Sequence, residues 1–173
     1  MRRQVYRGRV VDFGLEDVQL PNGVQIELEV VRHPGAAAVA AVDEQLRVVL
    51  IHQFRHAGGG FLWEIPAGIL HPDEEPEACA RRELAEEVGL AAGRLDLLGA
   101  MLPTPGYSDE HIHLFLGREL TSVPMAREAD EVIQSVERIA VVDALAMVRR
   151  GEIPDAKTAL ALFLAGHAVG VSA

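Results

Sequence analysis

The run Gly68–Leu90, GILHPDEEPEACARRELAEEVGL, holds start and stop signals for one helix together with a fixed pattern of charge. Pro76 suits the first helical turn, acidic Asp73, Glu74 and Glu75 stand at the positive end, and Gly89 suits the C-terminal cap. A helix over 76–88 is therefore predicted. At about 100° per residue, Glu83, Glu86 and Glu87 share one face, while Ala80, Leu84 and Val88 form an apolar row beside it. Like charges at these spacings cost about a few tenths of a kcal/mol per pair, and Arg82, four residues before Glu86, is placed to relieve them. A divalent cation would resolve the conflict. Carboxylates without cysteine or histidine select Mg²⁺ or Mn²⁺ over zinc, although the carboxylates alone also fit a solvated, glutamate-rich surface.

Outside this run, residues 4–17 and 24–33 read as two strands joined by the tight turn Pro21-Asn22-Gly23, and Pro34-Gly35 marks a break. Residues 36–42 and 46–54 are apolar enough for central strands buried on both faces. Further strands are expected over 95–102, 111–116 and 133–141, with helices over 142–150 and 156–168. One helix between strands and a helical C-terminus predict an α/β fold, a mixed sheet sandwiched between helices.

The spacing from Gly68 through Glu74 to Arg82-Glu83-Leu84-x-Glu86-Glu87-x-Gly89-Leu90 resembles the Nudix box of the Nudix hydrolases at every defining position. The rest of the chain looks like the ADP-ribose pyrophosphatase branch. That likeness is carried by Leu20-Pro21-Asn22-Gly23, Gln53-Phe54-Arg55, the segment Trp63–Gly68 and the segment Thr104–Glu110, with Pro105 fifteen residues beyond Leu90. The resemblance implies a Nudix α/β/α sandwich over 35–173, with residues 1–34 as an N-terminal β-rich extension that joins a second subunit in a homodimer. It implies Mg²⁺-dependent hydrolysis of ADP-ribose to AMP and ribose 5-phosphate, with a broader nucleoside-diphosphate-sugar hydrolase or a non-catalytic ADP-ribose sensor as alternatives.

The same resemblance assigns residues. Glu83 and Glu87 would bind metal, with Glu86 and the carbonyl of Ala67 assisting, and Glu74 and Arg82 would brace the loop against the helix. Glu131, in the acidic loop before Val132-Ile133, would be the catalytic base, with Glu128 in reserve and Glu86 next. On the residues alone that loop also reads as an ordinary solvated one. Arg55 would grip the substrate phosphates, Glu64 would support the substrate and Glu110 would meet the terminal ribose. Each of the three also reads as an ordinary surface or strand-end charge. Tyr107 is left between packing and ligand contact, Trp63 between core and adenine platform. His111 and His113 alternate on one strand face without a third metal ligand.

Composition narrows the class. A chain of 173 residues suits one domain with an elaboration at one end, and 49% hydrophobic but only 5% aromatic residues demand a core of Ala, Val, Leu and Ile. The balance of 16 basic against 26 acidic residues, 16 − 26 = −10, argues against a nucleic-acid partner. No apolar stretch of about 18 residues occurs and the Met-Arg-Arg start lacks an apolar signal region, so no membrane partner and a cytoplasmic location are expected. The single cysteine, Cys79, forms no internal disulfide, which fits a reducing compartment.

Overall fold

The computed structural model describes residues 1–127 and 131–171. Its N-terminal part is an antiparallel sheet of β1 (Arg2–Arg7), β2 (Asp12–Gln19) and β3 (Gln25–Arg32), in that order. The single strand expected over 4–17 is in fact two. The chain reverses at Gly8–Val11, where the Gly8 N–H donates to the Val11 carbonyl at 2.9 Å. The Tyr6 ring folds over the reversal, 2.9 Å from where a Gly8 side chain would begin. The expected turn at Pro21-Asn22-Gly23 is present, with Gly23 at φ 87°.

The body comprises β4 (Ala36–Ala41), β5 (Arg47–Arg55), β6 (Gly60–Glu64), β7 (Ala67–Ile69), α1 (Pro76–Val88), β8 (Leu90–Met101), β9 (Ile112–Ser122), β10 (Ile133–Ala140), α2 (Val141–Arg149) and α3 (Ala156–Ala168). A mixed sheet runs β7-β4-β9-β8, with β4 parallel to β9 and the other pairs antiparallel. A second, antiparallel sheet runs β10-β5-β6 and meets the first at the Val42–Val48 bridge. The short strands β6 and β7 had no counterpart in the sequence-based reading, and β8 begins five residues earlier than expected.

Alternation along β4 builds the sandwich. Ala36, Ala38 and Ala40 face a core with Val141, Ala144 and Leu145 of α2 and Ala161, Leu162 and Ala165 of α3. Ala37, Val39 and Ala41 face Cys79, Ala80 and Leu84 of α1. Side chains that point alternately to opposite faces bury this strand completely, and its small residues let helices approach from both sides. The predicted α/β/α layering is thus realised with the aliphatic core that the composition required.

α1 begins and ends where its caps dictate. Glu75 is extended and makes no side-chain cap, Pro76 opens the first turn, and Gly89 adopts the left-handed conformation at φ 65°. The N-terminal sheet reaches the loop before β9 through backbone bonds, the Val31 N–H donating to the Tyr107 carbonyl at 2.8 Å. Arg32 adds an ion pair to Asp109 at 2.9 Å.

Candidate active site

α1 turns Glu83 and Glu87 inward, one helical turn apart, and both are buried. Glu87 Oε2 accepts a hydrogen bond from the Ala67 N–H at 3.0 Å. Glu87 Oε1 is buried and has no hydrogen-bond partner among the described residues. Burial, followed by the charge of Glu83, pushes the Glu87 carboxyl up from 4.5 to about 8. Glu83 is also raised, chiefly by burial, with Arg82 pulling the other way. Glu131 completes the group: one carboxylate oxygen from each of Glu83, Glu87 and Glu131 lies within 4.8 Å of the others.

Gly68 makes room for this cluster. A Cβ at that position would stand 1.7 Å from Glu83 Oε1, so a side chain there would evict the carboxylate. Three converging carboxylates, two of them buried and one with an orphaned oxygen, form a hard-oxygen donor set. That set fits Mg²⁺ or Mn²⁺, which would relieve both the repulsion and the lost hydration. No histidine belongs to it, so His111 and His113 remain outside.

Arg82 ties the loop to the helix. It donates to Glu74 through Nε at 2.9 Å and Nη2 at 3.0 Å, to Glu86 at 3.0 Å, to Glu83 at 2.6 Å and to the Ile69 carbonyl at 3.1 Å. Its hydrogen bonds hold the Glu74 carboxyl down at about 2. Glu86 is therefore engaged by Arg82 and stands outside the three-carboxylate group, although it lines the same cavity.

That cavity, about 1310 Å³, also takes in Arg55, Glu64, Glu110 and Lys157. Arg55 and the buried Glu64 form a two-pronged ion pair, both hydrogen bonds at 2.9 Å. Glu110 stands 3.7 Å from His33 Nδ1 at the junction with the N-terminal sheet. Lys157, which the sequence-based reading passed over, reaches Glu64 from the first turn of α3; its one advance signal was that the chain has no other lysine. Trp63 stacks on His52 at 4.5 Å and packs against the core, while Tyr107 is exposed. Glu128 lies outside the described residues.

A model of the NUDIX domain matches residues 31–162. The chain belongs to the Nudix family. Within it, an ADP-ribose pyrophosphatase of Bacillus subtilis (strain 168) is 43% identical over 162 residues, 93% of this chain and 88% of that protein. A methanol dehydrogenase activator of Bacillus methanolicus is 37% identical, over 92% of this chain and 86% of its own. An ADP-ribose pyrophosphatase of Mycobacterium tuberculosis (strain ATCC 25618 / H37Rv) is 36% identical, over 95% and 80%. The crystal structure of an ADP compounds hydrolase superposes on this Nudix chain with a TM-score of 0.84, covering 98% of it and 92% of the other at 22% identity, which speaks to the fold. In the Nudix frame the box supplies α1 and the loop before it, and among the described residues no helix is long and apolar enough to cross a membrane.

Proposed function

We propose that this Nudix chain is a Mg²⁺-dependent diphosphatase that hydrolyses ADP-ribose to AMP and ribose 5-phosphate. The observation that carries the reading is the pairing, in one cavity, of Glu83 and Glu131 of the three-carboxylate group with the basic residues Arg55 and Lys157. The choice of ADP-ribose is supported by the 43% identity to the Bacillus subtilis ADP-ribose pyrophosphatase.

Glu83 and Glu87 would hold the cation, with the Ala67 carbonyl assisting, Glu131 within reach of the same group, and Glu86 joining once released from Arg82. Mn²⁺ has the same taste for oxygen. When bound, the cation supplies positive charge against the phosphate oxygens and acidifies a coordinated water. Arg55 offers the edge of its guanidinium not engaged by Glu64 to the diphosphate, an arrangement suited to two-pronged phosphate contact. Glu64 supports Arg55 from below, and Glu110 accepts from the hydroxyls of the terminal ribose. Glu131 takes the proton of the attacking water as a phosphorus–oxygen bond of the diphosphate bridge breaks. Glu128 belongs to the same loop as a second candidate base.

Residues 1–34 act in this reading as a dimerisation unit and 35–173 as the Nudix domain. Among the described residues no helix packs extensively on the N-terminal sheet, and it leaves Val5 52% and Tyr6 62% exposed, apolar surface that a second subunit would cover.

The experiment is Mg²⁺-dependent release of the nucleoside monophosphate from ADP-ribose, ADP-glucose and GDP-mannose, with the mass of the protein read by light scattering. The largest kcat/KM is expected on ADP-ribose, from a dimer. A larger value on GDP-mannose overturns the substrate, binding without hydrolysis overturns the enzyme, and a monomer at micromolar concentration overturns the dimer.

A further inference from the structure

The chain has one lysine against fifteen arginines, and that lysine is in the candidate site. Lys157 occupies the second position of α3, and its side chain is only 13% exposed. The ammonium donates to Glu64 Oε2 at 2.5 Å and to Asp155 Oδ2 at 3.0 Å. Asp155 is already committed to the start of α3, accepting from the Thr158 N–H at 2.9 Å and the Thr158 hydroxyl at 2.5 Å. The Thr158 oxygen in turn accepts from the Ile65 N–H at 3.0 Å, one residue beyond Glu64. The first turn of α3 is thus fastened to the end of β6.

An Arg55–Glu64 pair by itself is electrically neutral and would attract a diphosphate poorly. Lys157 changes how that charge is shared. Arg55 and Lys157 against Glu64 and Asp155 are neutral in sum, but Lys157 takes a share of the Glu64 charge and so leaves the guanidinium less fully compensated than in the pair alone. Fixing Glu64 from a second side also fixes the plane of the guanidinium that shares it, which restricts Arg55 before any ligand arrives.

Resting on the diphosphatase reading, we propose that Lys157 is a positioning residue: by sharing Glu64 it keeps the Arg55 guanidinium oriented toward the substrate diphosphate. The competing role is a purely structural tether of α3, and the two separate cleanly.

Lys157→Met and Lys157→Arg are compared with the wild-type protein by calorimetric titration with inorganic pyrophosphate in Mg²⁺, by steady-state kinetics on ADP-ribose, and by thermal melting. Lys157→Met is expected to weaken pyrophosphate binding and raise KM by about tenfold, as for loss of a charged hydrogen bond, with kcat within about twofold. Lys157→Arg is expected to recover most of the affinity. In a Glu64→Gln background the Lys157→Met effect should shrink sharply, because the two act through one contact.

Unchanged pyrophosphate affinity and KM in a folded Lys157→Met protein, with or without a lowered Tm, overturn the proposal. Should that variant not fold, Lys157→Gln, which keeps a donor but no charge, answers the same question. If the wild-type protein binds pyrophosphate yet releases no AMP from ADP-ribose, the catalytic reading fails. The pyrophosphate arm still decides the role of Lys157.

Discussion

Glu87→Gln is expected to stabilise the metal-free protein while abolishing its activity. The wild-type carboxyl is fully buried, bears one hydrogen bond on Oε2 and none among the described residues on Oε1, and is raised from 4.5 to about 8. Because its folded value lies above its unfolded one, the folded state holds the extra proton between those pH values. Stability therefore falls as pH rises from 4.5 toward 8. At pH 7 a carboxyl shifted this far destabilises the fold by about 3 kcal/mol. A glutamine is nearly the same shape, accepts from the Ala67 N–H through its carbonyl, and turns an amide donor toward the carboxylates of Glu83 and Glu131. Nothing charged is then buried at that position. With about 2–4 °C of Tm per kcal/mol for a chain of this size, the metal-free variant should melt roughly 6–12 °C above the metal-free wild type at pH 7. The gap should narrow toward pH 5. Mg²⁺ should reverse the order, since a ligand of the folded state alone stabilises in proportion to its binding and the variant has lost a ligand atom. Differential scanning calorimetry in EDTA and in Mg²⁺, across pH 5 to 8, measures all three effects. A metal-free Glu87→Gln protein less stable than wild type at pH 7, or one stabilised by Mg²⁺ as much as the wild type, refutes the reasoning.

Three further outcomes test other parts of the site. Gly68→Ala should cut turnover about a hundredfold and raise the Mg²⁺ requirement, because its Cβ would lie 1.7 Å from Glu83 Oε1 and displace that carboxylate; normal Mg²⁺ titration of the variant would show that Gly68 is dispensable. Arg82→Ala and Glu74→Ala should each lower Tm and be far from additive when combined. Glu74 is held down at about 2, so its contribution is present above pH 4.5 and is lost as pH falls toward 2; additive effects, or a wild-type advantage that survives at pH 2, would dismiss the pair. Glu131→Gln should depress kcat far more than it changes KM, since proton acceptance matters only in the transition state. An active Glu131→Gln beside a crippled Glu128→Gln or Glu86→Gln would move the base to that position.

What was legible in the sequence follows the range of the forces involved. The bounds of α1 came out correctly because Pro76 and Gly89 act locally, and a 3.6-residue period is enough to put Glu83 and Glu87 on one face. The cover over that face was not local. Glu83 becomes a buried, raised carboxyl only because β7 carries Gly68 against it, and β7, three residues long, has no periodicity to read. The β1–β2 reversal escaped for a similar reason: Val10, Val11 and Phe13 suggested a continuing strand, and a lone glycine such as Gly8 is a weak turn signal. Arg55 and Glu64 were both picked out, but their mutual pairing depends on the hairpin of β5 and β6, of which only the first strand had been expected. Lys157 lies 93 residues from the carboxylate it holds, so no spacing rule reaches it.

A formal charge of −10 makes this surface a poor receiver of a diphosphate at long range. At physiological ionic strength, however, charges beyond about 8 Å are largely screened, so the groups lining the cavity decide. Those groups are segregated. Glu83 and Glu131, with the buried Glu87 beside them, present carboxylates at the inner face of α1, while Arg55 and Lys157 share one carboxylate at the ends of β5, β6 and α3. Without a cation the first cluster would repel the ligand that the second attracts. With one, both would attract it, so cation and diphosphate should each raise the other's affinity by the same factor. The burial that lifts Glu87 to about 8 has a part in this coupling: it disfavours the metal-free ionised site, and it keeps competing water away from the oxygen that the cation would take. The raised Glu87 carboxyl also sets a proton in competition with the cation, so occupancy of the site should fall as pH drops below about 8.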